Sequence, residues 1–321
     1  MNIESACRRV GFVGAAVVCL TILAGQLIAA ETPSSIKLPG YEAVPVSYAP
    51  VNRMLIRAIV NDHRANFIVD TGAAVSVLEQ GRARAFGVTP TEPNSPYGQF
   101  KVLNNQSFRV GLISTLRAGN MDFGSGPIAL SDFTPRNNSS FSLRLLNVDG
   151  VFGADILTHY KAVINCQTRQ IYFKVDPSRR LQLAAFATSH RFTRIPLHEE
   201  VGRGFTVPCS INGRGARLLV DTGAPLTTFN QTAAKSAGIS FQTTRLTSTF
   251  SDGVRRGISV GQFNQLSVGN FKVPPQKFAA VVLPPFAAQQ GNVPVDGILG
   301  MELLSLNHAI IDFDSMSLFL R

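Results

Sequence analysis

Phe67-Ile68-Val69-Asp70-Thr71-Gly72-Ala73-Ala74-Val75-Ser76-Val77-Leu78 places one acidic side chain between two apolar runs, and the pattern occurs twice. The second copy is Leu218-Leu219-Val220-Asp221-Thr222-Gly223-Ala224-Pro225-Leu226-Thr227-Thr228-Phe229, which puts Asp70 and Asp221 at equivalent places with an offset of 221 − 70 = 151 residues. An Asp-Thr-Gly triplet arises by chance at roughly one start position in several thousand, so a single copy says little. Two copies with matching flanks point to an internal duplication.

Working outward, the two halves stay in step. Val44-Pro45-Val46 matches Ile195-Pro196-Leu197, Asn61 matches Asn212, and Ala65 matches Ala216. Residues 54–60 and 205–211 read as strands that turn at Asn61-Asp62 and Asn212-Gly213 and return to the aspartates. Segments 79–86 and 231–237 read as short helices, each with a Gly (Gly87, Gly238) beyond its C-terminus. Hairpins are expected around Asn104-Asn105 and Asp252-Gly253. Beyond them the register resumes with an offset of 260 − 110 = 150, Val110-Gly111 matching Val260-Gly261. The halves then diverge: a polar loop lies between Asp132 and Asn147, with overlapping Asn-x-Ser sequons at Asn137 and Asn138, against a Pro/Ala/Gln loop at 284–294. Asp149-Gly150-Val151-Phe152-Gly153 realigns with Asp296-Gly297-Ile298-Leu299-Gly300 at an offset of 296 − 149 = 147, and the match runs on through Ile164/Ile311. Each half should therefore close with a short helix and two strands.

The early Asp-Thr-Gly and the late apolar-apolar-Gly of each half resemble the aspartic peptidases, the clan of retropepsin-like and pepsin-like enzymes, over nearly all of 44–321. The resemblance implies a mainly β chain of two homologous retropepsin-like lobes, 44–175 and 195–321, joined by a linker at 176–194, with the active site at the lobe interface. It implies that Asp70 and Asp221 are the catalytic pair and that Thr71 and Thr222 cross-link the two loops. Gly72 and Gly223 would let backbone approach the carboxylates where a Cβ would intrude. The expected hairpins are the candidate flaps: Tyr97, Asn104 and Asn105 in the first half, Asp252 and Gly253 in the second. Tyr97 has Ser248 as its counterpart, so a flap aromatic and a packing residue are both open readings.

Two carboxylates about 4 Å apart repel by roughly 4 kcal/mol at an effective dielectric near 20, so the second resists ionisation and one proton is shared. Such a pair can activate a water against a peptide carbonyl, one oxygen accepting a proton while the other carboxyl donates. Ala73 and Ala224 stand where pepsin-like enzymes often carry a hydroxyl donor to the carboxylate, so a mildly acidic activity optimum is expected. The expected function is an exported aspartic endopeptidase acting on polypeptides, with no metal or organic cofactor and with one chain sufficient for catalysis. The alternative is a peptide-binding or inhibitor-like module without turnover, whose expected signature is loss of one aspartate. Neither is lost.

Bulk properties set the remaining limits. The 321 residues are 45% hydrophobic, and 27 Gly and 18 Pro punctuate short runs rich in Val, Ile, Phe and Thr, a β-type composition ample for two cores. The net charge of +10 is scattered, with no basic run longer than Arg179-Arg180 or Arg255-Arg256 and no Trp, which argues against nucleic acid as a partner. Arg8-Arg9 precede an apolar run from Val10 to Ala30, so residues 1–30 read as an export signal ending at Ala29-Ala30, followed by a lead-in at 31–43. A cleaved leader gives a periplasmic or secreted protein; a retained one gives an anchor through 10–30, the only membrane contact expected. Of four Cys, Cys166 and Cys209 lie beyond the leader, where a bridge or two buried thiols are both compatible with export.

Overall fold

Alternation in Arg53–Val60 turns Met54, Ile56, Ala58 and Val60 inward, and the strand reverses through Asn61 (φ 46°) and Asp62 (φ 65°) into His63–Val69. The computed structural model describes residues 37–49, 52–92, 109–132, 147–200, 204–250, 254–290 and 293–321. The expected leader 1–30, the sequons, and the candidate flap residues Tyr97, Asn104, Asn105, Asp252 and Gly253 lie outside the described residues. The equivalent turn in the second half uses Asn212 (φ 49°) and Gly213 (φ 80°), positive angles that Asn and Gly adopt at least cost. The asparagines also lock each turn to the element after the acidic loop: the side-chain amide of Asn61 donates to the Phe86 carbonyl, and that of Asn212 to the Ala237 carbonyl, both at 2.9 Å.

Both halves run the same order of strands, which in the first half closes on itself through strand pairing. In the first, Arg53–Val60 pairs with His63–Val69, which pairs in parallel with Gly150–Phe152. Gly150–Phe152 then pairs with Val77–Glu79, followed by Met121–Ser131 and Arg109–Ala118, whose end returns to Arg53–Val60. The second half repeats this with Phe205–Ile211, Arg214–Val220, Gly297–Leu299, Thr228–Asn230 and Gln276–Val281. Arg255–Phe263 pairs with Gln276–Val281, and the chain continues into Leu266–Val268, which pairs with Phe205–Ile211. Asp149 and Asp296 fasten the entry to the third strand of each circuit, each carboxylate accepting a backbone N–H (Asn66, Arg217) at 2.9 Å.

The two circuits share a sheet of six strands. Its centre is the antiparallel pair Val163–Asn165 and Ile310–Asp312, where Ile164 faces Ile311. Those two residues are equivalents in the duplication, so an approximate two-fold axis passes between them. The flanking contacts obey it: the Cys166 N–H donates to the Ala309 carbonyl at 2.9 Å and the Phe313 N–H to the Ala162 carbonyl at 3.0 Å. On either side lie the pairs Gln170–Lys174 with Tyr41–Ala49, and Ser317–Leu320 with Thr193–Pro196. Burial across these sheets joins both halves into one continuous apolar core.

Three expectations are corrected or resolved. The first helix after the acidic loop is a single 3-10 turn, Ala83–Phe86, rather than 79–86, because Glu79 and Gln80 still donate to the Asp149 and Ser131 carbonyls and Arg82 offers no side-chain cap. Its counterpart Gln231–Ser236 is α-helical, and there Asn230 caps the Thr232 N–H at 3.1 Å. The connection between halves contains a helix, Leu183–Ser189, whose Ala187 packs with Tyr41, Val163, Tyr172, Ile310 and Phe319 on the shared sheet. Finally, Cys166 and Cys209 are free and buried, and burial pushes both thiols up to about 12. Reducing agent should leave the melting temperature unchanged, and thiol alkylation should proceed only as fast as the protein unfolds; rapid native labelling would contradict this burial.

Candidate active site

Each acidic residue ends a strand. Val69 pairs in parallel with Phe152 and Val220 with Leu299, and the next N–H groups, of Asp70 and Asp221, donate to those same partners' carbonyls at 3.0 and 3.1 Å. The chain then turns sharply. The Oδ1 of Asp70 accepts the Gly72 and Ala73 N–H groups at 2.8 and 3.0 Å, and the Oδ1 of Asp221 accepts those of Gly223 and Ala224 at 2.8 and 2.9 Å. Each carboxylate is held by its own turn, with its second oxygen left for other partners.

The two turns are clasped together by Thr71 and Thr222, both fully buried. The Thr71 Oγ1 donates to the Val220 carbonyl at 2.7 Å and accepts the Thr222 N–H at 3.1 Å; the Thr222 Oγ1 donates to the Val69 carbonyl at 2.8 Å and accepts the Thr71 N–H at 3.1 Å. Thr222→Val deletes half of this exchange and leaves a buried N–H and a buried carbonyl without partners. It should cost about 2–4 kcal/mol in urea unfolding, and an unchanged midpoint would show that the clasp contributes nothing.

The clasp sets each glycine against the opposite carboxylate. A Cβ on Gly72 would stand 2.7 Å from the Asp221 Cγ, and one on Gly223 would stand 2.4 Å from the Asp70 Cγ. The two carboxyl groups therefore face one another across the paired turns, close enough for each to act on the other's ionisation. Burial pushes Asp70 above the ordinary carboxylate range, opposed by Asp221, by its hydrogen bonds to Gly72 and Ala73 and by the nearby Arg53 guanidinium. Burial pushes Asp221 well above that range, and the Asp70 charge pushes it further. One proton shared by the pair follows from these directions.

Behind each turn stands a second layer that the repeat of identical residues did not reveal. The Ser76 Oγ accepts the Gly153 N–H at 2.9 Å and donates to Asp155 Oδ1 at 2.7 Å; the Thr227 Oγ1 accepts the Gly300 N–H at 3.0 Å, and Glu302 accepts the Thr227 N–H. The pairs Ser76/Thr227 and Asp155/Glu302 sit at the same 151 and 147 offsets with chemistry kept and identity changed, which is the signal that would have found them. The late glycines admit these turns: a Cβ on Gly153 would meet the Val75 carbonyl carbon at 2.6 Å, and one on Gly300 the Leu226 carbonyl carbon at 2.4 Å. Arg53 has no such signal, because its counterpart is Gly204.

Among the described residues no group of His, Cys, Asp and Glu is arranged to hold a metal ion, and no helix is long and apolar enough to cross a membrane. Beside the second turn, Val281, Leu283 and Ile298 form a buried apolar cluster against Ala224, Phe250 and Ile258. The arms of the second hairpin, Phe241–Thr249 and Arg255–Phe263, pair antiparallel next to it.

Residues 207–303 match the family model described as aspartyl protease, a span that includes Asp221, Thr222 and Gly300. The fold is that of the aspartic peptidases. The match supports a peptidase-type function for the chain. Among solved structures the chain is similar to basic 7S globulin from soybean, at 11% identity over 88% of this chain and 94% of that one, with a TM-score of 0.48. It is also similar to the aspartic proteinase from Irpex lacteus, at 13% identity over 87% of this chain and 96% of that one, again with a TM-score of 0.48. No curated protein sequence matches the chain.

Proposed function

We propose that this chain is an exported aspartic endopeptidase in which Asp70 and Asp221 together activate a water for attack on a peptide carbonyl. The observation that carries the reading is the juxtaposition of the two carboxyls, each buried, each set against the glycine of the opposite turn and each raised above the ordinary range. At mildly acidic pH the pair holds a single proton. The ionised oxygen takes a proton from the water as its oxygen bonds to the carbonyl carbon, while the protonated carboxyl donates to the carbonyl oxygen; collapse of the tetrahedral species returns a proton to the leaving amine. The backbone N–H groups of residues 72, 73, 223 and 224 hold the inner oxygens still through these transfers.

The substrate in this reading is an extended polypeptide bound as an added strand between the two halves. The apolar cluster against Ala224 suits an apolar side chain next to the scissile bond. The apolar leader at residues 10–30 supports export to the periplasm or beyond, with a retained leader as anchor if it is not cleaved. Digestion of a denatured proteome with the full chain and mapping of the new termini tests the reading: discrete cuts with apolar flanks, suppressed by a statine-type inhibitor, are expected. Binding of peptides without any cut would favour the silent module instead, against which stands the presence of both carboxyls.

A further inference from the structure

The two acidic turns are near two-fold copies of one another in their backbone hydrogen bonds, in their glycines and in their threonines. One cation breaks the symmetry. Arg53, first residue of the strand Arg53–Val60, is partly buried and reaches across to the other half, where its Nη1 donates to the Gly223 carbonyl at 3.2 Å. Gly223 is the residue whose Cα lies against the Asp70 carboxyl and whose N–H holds Asp221 Oδ1. The equivalent position on the other side, Gly204, carries no side chain.

We infer that Arg53 is a positioning residue for the carboxyl pair: it pins the Gly223 peptide and supplies, from one side only, the positive charge that the missing hydroxyls at Ala73 and Ala224 do not. The inference rests on the proposed peptidase reading. Physically, a cation beside a buried pair favours its singly ionised form over the neutral one, and an off-axis cation makes the two carboxyls unequal. Backbone N–H groups serve both inner oxygens alike, so they stabilise the anion without choosing a side. Arg53 makes the choice, toward an ionised Asp70. The charges facing the pair are few: among the described residues, Asp70 and Asp221 feel each other, Asp70 also feels Arg53, and the Arg53 guanidinium in turn feels both carboxylates. The next carboxyls, Asp155 and Glu302, are turned onto Ser76 and Thr227 behind the loops.

The test is the pH dependence of kcat/KM for the parent, Arg53→Met and Arg53→Lys, with the carboxyl carbons of 13C-labelled aspartate titrated by NMR in the same three proteins. Loss of the cation should move both limbs of the profile upward by about one pH unit. Arg53→Lys, which keeps the charge, should stay within a few tenths of the parent. The NMR titration should show the same displacement and a smaller difference between the two carboxyl carbons in Arg53→Met. Unmoved limbs and unmoved carboxyl titrations in Arg53→Met would overturn the inference. If no protein cleaves peptide, the endopeptidase reading fails on its own, and the NMR displacement still decides whether Arg53 governs the pair.

Discussion

Asp70→Asn and, separately, Asp221→Asn should each lower peptide cleavage by about 10³-fold or more, because each removes an ionisable partner from a proton exchange that needs both. The fold should survive. An Asn at either position keeps the oxygen that accepts the two turn N–H groups, so the loop geometry has no reason to change. Stability should in fact rise at neutral pH. The folded-state pKa of Asp221 is raised, so its contribution is present below the unfolded carboxyl value near 4 and is lost as pH climbs through the folded value. A neutral Asn carries no such loss. Asp221→Asn should therefore melt above the parent at pH 7 and approach it near pH 4. Undiminished cleavage by either variant would sink the paired-acid mechanism, and a lower melting temperature at pH 7 would contradict the raised pKa.

Gly223→Ala should be nearly as damaging to cleavage, although it adds only a methyl group. That methyl would lie 2.4 Å from the Asp70 Cγ and from its Oδ2, well inside any real carbon contact. The loop cannot yield easily, since the Gly223 N–H and carbonyl are both engaged, by Asp221 and Arg53. Displacing a carboxyl by about 1 Å costs on the order of 10²-fold in rate, and overpacking a tight site costs about 1–3 kcal/mol. Gly215→Ala is the matched comparison, because its Cβ would meet nothing within 4 Å and its backbone is not in the left-handed region. Cleavage assays and thermal melts should find Gly215→Ala near the parent and Gly223→Ala impaired in both. Equal behaviour of the two would mean that close approach of the opposite loop plays no part.

Much of this molecule is legible from the chain alone because it is said twice. Turn asparagines, the strands leading to Asp70 and Asp221, the glycines that end each short helix, and the late Asp-Gly motifs all recur in step, and local chemistry explains each of them: positive φ, apolar alternation, a Cβ that cannot fit. Less legible were features whose cause is remote in sequence. Ser76 and Asp155 share a role with Thr227 and Glu302 through equal geometry rather than equal identity, so a comparison of letters passes over them. The fate of Cys166 and Cys209 depended on which neighbours each thiol met in the core.

Local pattern, repeated, determined the β circuits, the two acidic turns and the expectation that they meet. Only tertiary structure decided that equivalent strands pair through Ile164 and Ile311, that the threonines exchange hydrogen bonds across the axis, and that an unrepeated arginine reaches one turn and not the other. Duplication can encode a symmetric pair in sequence, whereas an asymmetric contact between strand and loop exists only once the chain has closed and the low-dielectric interior has given that charge its range.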